Sequence, residues 1–222
     1  NYLQSFENRN YAVTAKATTT TITSSTVNPS ELGAAVGFNY TVTTTPADTT
    51  PTGTVTLTAS TGETCANTVA AGSCSITFET AGARTVTAAY AGDPQHAGST
   101  SVAFAHSVNQ AEQAALVVTA TPQTIAYLGT STLATTGGSG TGAVSYAVTG
   151  GTGTCAITGS TLTGNGVGTC EVTATKAGDA NYLPQTGTVT VTVEQAEQAA
   201  LVVSATPQTI AYLGTSTLAT TG

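Results

Sequence analysis

The chain has 222 residues, 40% of them hydrophobic, only 5% aromatic and 7% charged, with a formal net charge of -7 at pH 7 and a pI near 4.4. Its fixed positive charges are Arg9, Lys16, Arg84 and Lys176, too few to neutralise a phosphate backbone, so a nucleic-acid partner is excluded. No run approaches about eighteen apolar residues and no charged-then-apolar leader opens the chain, so membrane insertion is not expected in this segment, and any signal or anchor is expected outside it.

Taken in chain order, the predicted elements are strands. Val36, Phe38, Tyr40 and Val42 alternate with Gly37, Asn39 and Thr41; Val55 and Leu57 alternate with threonines; Cys74, Ile76 and Phe78 follow the same rule. In the second half Val144–Val148, Cys170–Thr175 and Val189–Val193 repeat the habit, with Gly or Pro between runs. A period of two marks half-buried strands, and no segment sustains a helical period. The outward positions are mostly threonine, a β-branched residue that suits a pleated surface. That coat also admits O-glycosylation, and Asn39-Tyr40-Thr41 is an N-glycosylation sequon.

The stretch Gln110–Gly137 returns at Gln195–Gly222 with Ser204 in place of Thr119 as its one change. The offset of 85 residues (195 minus 110) is the size of a small domain used more than once. Short strands with frequent turns in such a unit predict an all-β fold of tandem immunoglobulin-like Greek-key β-sandwiches, seven or so strands each. The expected organisation is a partial unit at 1–16 supplying the last strand of a preceding repeat, domains at 17–109 and 110–194, and a partial unit at 195–222 holding the first strands of a following one. The segments Asn109–Ala115 and Glu194–Ala200 join units without a Gly or Ser run, which predicts short, stiff joints and an extended rod.

Cys65 and Cys74 fall in the first unit, Cys155 and Cys170 in the second. Pairing within each unit would close loops of about ten and sixteen residues and contribute about 2.5 to 3 kcal/mol apiece to a thin core. Zinc is the rival reading but wants tighter spacing, and free buried thiols are the third. Disulfides imply an extracytoplasmic setting. Cysteines this close are expected to tie neighbouring strands or a hairpin, the first pair flanking the turn at Ala70–Gly72.

Asn28-Pro29-Ser30, Pro51–Leu57 and Ala81–Asp93 resemble the tandem immunoglobulin-like repeats of large bacterial surface and secreted proteins, and Gly153–Ile157 with Gly168–Tyr182 resembles a sister type. The resemblance implies a spacer in an adhesin-like or other surface protein, with neighbouring repeats of the same chain as partners. It implies no common active site. Asn1-Tyr2-Leu3 matches Asn181-Tyr182-Leu183, but the two chain ends together lack the equivalent of 138–180, so simple head-to-tail strand donation cannot complete a unit.

Several side chains could carry chemistry. Ala-Gly-Asp recurs at 91–93 and 177–179, where Asp93 or Asp179, with Glu112 or Glu197, could bind calcium; the alternative is an aspartate supporting a glycine turn. His96 and His106 lack a nucleophile-elbow pattern and read as surface or strand residues. Gly137–Gly140 and Gly150–Gly153 read as hairpin loops, lacking the ending of a phosphate loop. Lys16 and Lys176 are candidates for an isopeptide crosslink, and Tyr127 and Tyr146 for a sugar platform. No catalytic, cofactor-binding or metal-binding residue is assigned. The expected function is a non-enzymatic extracellular stalk at a bacterial cell surface or in a secreted protein. The alternatives are a subunit self-assembling with other copies into a filament or layer, and a carbohydrate-binding module.

Overall fold

The computed structural model describes residues 14–45, 47 and 49–221. The expected strand at the start of the chain therefore lies largely outside the described residues. By contacts the chain forms two units: residues 1–114 with 139–142 and 177–185, and residues 115–138 with 143–176 and 186–222. This grouping follows packing, whereas the 85-residue period follows sequence.

The first set of strands is β1 (Thr18–Ser25), β2 (Ser30–Glu31), β3 (Ala35–Thr44), β4 (Thr54–Ala59), β5 (Thr64–Thr68), β6 (Ser73–Thr77), β7 (Gly82–Tyr90), β8 (Ser99–Thr100) and β9 (Phe104–Asn109). One sheet has the order β1-β3-β6 and the other β2-β9-β7-β4-β5, with β8 added to β7. Alternation works as the sequence implies: Val36, Phe38, Tyr40 and Val42 of β3 are all buried, as are Val55 and Leu57 of β4 and Val86, Ala88 and Tyr90 of β7. These inward side chains form one core, in which Phe38 meets Phe78 and Phe104 edge to face. Burial raises the pKa of the Tyr40 and Tyr90 phenols. Their hydroxyls donate to the Thr68 and Thr52 carbonyls at 2.8 and 2.7 Å.

The second set is β10 (Leu116–Thr121), β11 (Thr124–Ala126), β12 (Thr130–Gly137), β13 (Val144–Gly151), β14 (Thr154–Thr158), β15 (Thr161–Gly166), β16 (Gly168–Lys176) and β17 (Gln185–Glu194). Its sheets run β10-β12-β15-β14 and β11-β17-β16-β13. Leu133, Leu162, Cys170, Val172, Val191 and Val193 fill the space. In both sets a short segment after the first long strand, β2 or β11, pairs in parallel with the last strand, β9 or β17. Val144 and Val148 of β13 are partly exposed because β13 is an edge strand with a single neighbour. Two further strands, β18 (Val202–Thr206) and β19 (Thr217–Thr221), form a hairpin by themselves.

Two expectations about connections are corrected. The glycine clusters are not hairpin loops: Gly137–Gly140 leads from β12 in one sheet to β13 in the other, and Gly150–Gly153 leads from β13 back to β14. Changing sheets carries the chain across the roughly 10 Å between layers, where a hairpin would return it beside its own strand. Gly151 has φ +112°, and a Cβ there would lie 2.0 Å from the Thr169 carbonyl oxygen.

The second correction concerns the cysteines. Cys65 on β5 and Cys74 on β6 belong to different sheets, and so do Cys155 on β14 and Cys170 on β16. Each bridge therefore staples the two sheets together and does not tie a hairpin. Short sequence separation misleads here because the chain between the two cysteines crosses from one sheet to the other: a brief turn suffices for the first pair, and β15 lies between the second.

Candidate functional site

The chemistry-bearing residues lie chiefly in loops at the ends of strands. Asp93 follows β7 and occupies a turn. Its Oδ1 accepts the backbone N–H groups of Gln95 and His96, both at 2.8 Å, while its Oδ2 accepts the Thr52 N–H at 2.8 Å and the Thr52 hydroxyl at 2.9 Å. Asp179 repeats the arrangement. Its Oδ1 accepts from the Asn181 and Tyr182 N–H groups, both at 2.9 Å, and its Oδ2 from the Thr141 N–H at 2.7 Å and hydroxyl at 3.1 Å.

Each carboxylate thus closes its own turn and pins a second loop across the end of the strands. The Thr52 N–H, then the His96 ring, the Gln95 N–H and the Thr52 hydroxyl, hold the Asp93 carboxyl far below the usual carboxylate range. The Thr141 N–H is the leading cause of the lowered pKa of Asp179, followed by the Asn181 N–H.

A calcium ion needs oxygen ligands with lone pairs to spare, and both aspartates spend theirs on N–H and O–H donors. Glu112 and Glu197, the suggested partners, are exposed and take no part in these hydrogen bonds. Among the described residues no group of three or more His, Cys, Asp or Glu is placed to hold a metal ion.

Replacing Asp93 by Asn is expected to lower the melting temperature at neutral pH. Because the folded pKa lies below the unfolded value near 3.8, the carboxylate's contribution is complete above that value and is lost as pH falls through the folded pKa. The difference between wild type and Asp93→Asn should therefore hold steady from pH 6 to about pH 4 and shrink as melting curves are taken at successively lower pH below about 4. A gap that stays constant as the pH falls below about 4 would remove the carboxylate from the account.

Of the two histidines, read as surface or strand residues, His106 lies on strand β9 while His96 lies in a loop, and neither is at the surface, for both are buried. His106 on β9 stacks on Phe78, with ring centroids 5.0 Å apart, and lies edge-on to Phe38. Its Nε2 is 3.0 Å from Ser30 Oγ, while Nδ1 has no hydrogen-bond partner. Burial lowers its pKa. The folded chain then refuses a proton that the unfolded chain takes below about pH 6.5, so stability should fall as the medium is acidified below that point. His106→Phe should flatten this part of a pH–stability curve measured by urea unfolding.

His96 is oriented from both sides. Its Nδ1 lies 2.8 and 2.9 Å from the two oxygens of Asp93, and its Nε2 lies 2.9 Å from Thr49 Oγ1. Nothing in the sequence brings Thr49 and His96 together: they are 47 positions apart and come from loops on either side of β4–β7.

Gln113 is a second residue that sequence reading passed over. Its Nε2 donates to the Ala177 and Leu183 carbonyls at 3.1 and 2.8 Å, and its Oε1 accepts the Gly140 N–H at 3.1 Å. The buried amide thereby satisfies three backbone groups with three bonds, and residues 110–115 run without helix.

The remaining candidates separate. Lys16 and Lys176 are half-buried, and the backbone of Lys16 bonds to Gln95 and Ala97. Asn39 of the sequon is exposed on β3, its amide donating to Ser24 Oγ at 3.0 Å. Tyr146 packs against the core, whereas Tyr127 is partly exposed beside a depression of about 560 Å³ shared with Val167, Gln195, Ala196 and Gln198. All four cysteines are in disulfides.

Two facing sheets, a first strand that changes sheets and an inter-sheet disulfide define an immunoglobulin-like β-sandwich. Residues 11–109 match the family described as Bacterial Ig-like domain (group 3), and this stretch is a bacterial Ig-like domain. No curated protein matches the sequence significantly. Among solved structures the chain is similar to one described as FdeC, a broadly conserved Escherichia coli adhesin, at 17% identity over 95% of this chain and 74% of that one. The TM-score is 0.27, and no functional conclusion rests on it.

Proposed function

We propose that the chain is a non-enzymatic, extracellular spacer of a bacterial surface protein, in which Ig-like units follow one another as neighbours. The observation that carries this reading is the consumption of reactive groups by structure: the cysteines staple sheets, the two turn aspartates hold backbone N–H groups, and His106 lies in a hydrophobic core. The bacterial Ig-like family match supports the surface setting, and disulfides agree with an oxidising compartment. Among the described residues no helix is long and apolar enough to cross a membrane.

A spacer's output is reach. Strands of ten residues such as β3 and β17 span about 33 Å, so each unit should contribute roughly that length. Deleting 110–194 joins residue 109 to the near-identical stretch at 195. In the native protein that deletion should keep surface display and shift an immunogold label on the more distal part toward the cell by about one strand length. Loss of display, or a label that does not move, would argue against a spacer. Ordered fibres in the same micrographs would favour the self-assembly alternative.

A further inference from the structure

His96 is the exception to the consumption of reactive groups. In the second clamp, Asp179 completes its turn with the N–H groups of Asn181 and Tyr182 and bridges to Thr141, with no imidazole in the network. The corresponding bonds of Asp93 use the N–H groups of Gln95 and His96 and the N–H of Thr52. The His96 ring is therefore an addition that the second clamp does without. What it adds is a line of three groups: a carboxylate on Nδ1 at 2.8 Å, and on Nε2, at 2.9 Å, the hydroxyl of Thr49.

We propose that Thr49 is an activated hydroxyl that accepts an acyl group from a small activated ester. A carboxylate that fixes an imidazole and lets it take a proton from a hydroxyl is the arrangement that makes an alcohol nucleophilic. His96 is only 2% exposed, so its ring is held in place, while Thr49 as a residue is exposed. Thr49 borders a depression of about 270 Å³ that Thr14, Lys16 and Gln95 also line, room for a small acyl group.

Thr49 Oγ1 bonds to the ester carbonyl carbon as its proton passes to His96 Nε2. The tetrahedral adduct expels the alcohol or phenol, which carries that proton away. Thr49 is left as an ester, His96 and Asp93 return unchanged, and nothing is oxidised or reduced. The expected behaviour is stoichiometric modification, which is compatible with a spacer role.

The test treats the folded chain with p-nitrophenyl acetate and follows release of p-nitrophenolate together with peptide mass. The expected result is about one equivalent released and a gain of about 42 Da on the peptide containing Thr49. Thr49→Val should abolish the adduct and Thr49→Ser retain it. Asp93→Asn and His96→Ala should slow it by roughly tenfold or more. Free imidazole should partly restore His96→Ala, which a merely structural role of the ring would not allow. Circular dichroism of Thr49→Val, altered only at an exposed position, separates chemistry from folding. No adduct on wild type, an adduct that survives Thr49→Val, or a Thr49 adduct formed at the same rate without His96 overturns the proposal.

Discussion

Replacing Cys155 and Cys170 together by serine is expected to destabilise the β10–β17 sandwich by about 3 to 4 kcal/mol, seen as a drop in its urea midpoint. The bridge closes a separation of 15 residues, so most of the effect is the freedom returned to the unfolded chain. Cys170 adds to it, being fully buried beside Val172 and Val191, where a serine hydroxyl would have to find a partner or remain unsatisfied. Small domains are stable by about 5 to 15 kcal/mol, so the loss is a large share of the whole. Cys65 and Cys74 close a shorter span of 9, and Cys74 is only half-buried; that double replacement should cost less, about 2.5 kcal/mol. Equal effects from the two pairs would mean that burial of Cys170 contributes nothing.

The second large effect compares a residue with its own copy. Leu133 and Leu218 occupy the same place in the repeated stretch, yet Leu133 is 2% exposed and Leu218 70%. Both sit in antiparallel pairs of the same register, Leu133 opposite Ala120 and Leu218 opposite Ala205. Only Leu133 is also covered by a core containing Leu162 and Val193. Leu133→Ala should therefore cost about 2 to 5 kcal/mol, whereas Leu218→Ala should cost less than about 0.5 kcal/mol. Hydrogen exchange of the peptides covering β10–β17 and of those covering β18 and β19 would read the two replacements. A comparable loss for Leu218→Ala would show that the second hairpin is covered in solution.

What the chain's own sequence determined is its local character. Period-two burial in β3, β4 and β16 follows from alternating Val, Phe, Tyr and Cys with Thr and Gly, because side-chain direction in a strand is a local property. The repeat of Gln110–Gly137 likewise carried one hairpin geometry into two places, since pairing across a short connection depends on nearby residues. The recurrent Asp turns at 93 and 179 were visible as motifs for the same reason.

Only the tertiary structure decided which sheet each strand joins and what covers it. Cys65 and Cys74 look like the two sides of a hairpin until β5 and β6 are seen in separate sheets. His96 and His106 read in the sequence as surface or strand residues, and only the fold shows what encloses them: Thr49 and Asp93 around one, Ser30, Phe38 and Phe78 around the other. Leu133 and Leu218 are the sharpest case, because their neighbours in sequence are the same. Burial is a relation between segments far apart in the chain, and identical residues acquire opposite roles when only one of them has a second sheet laid over it.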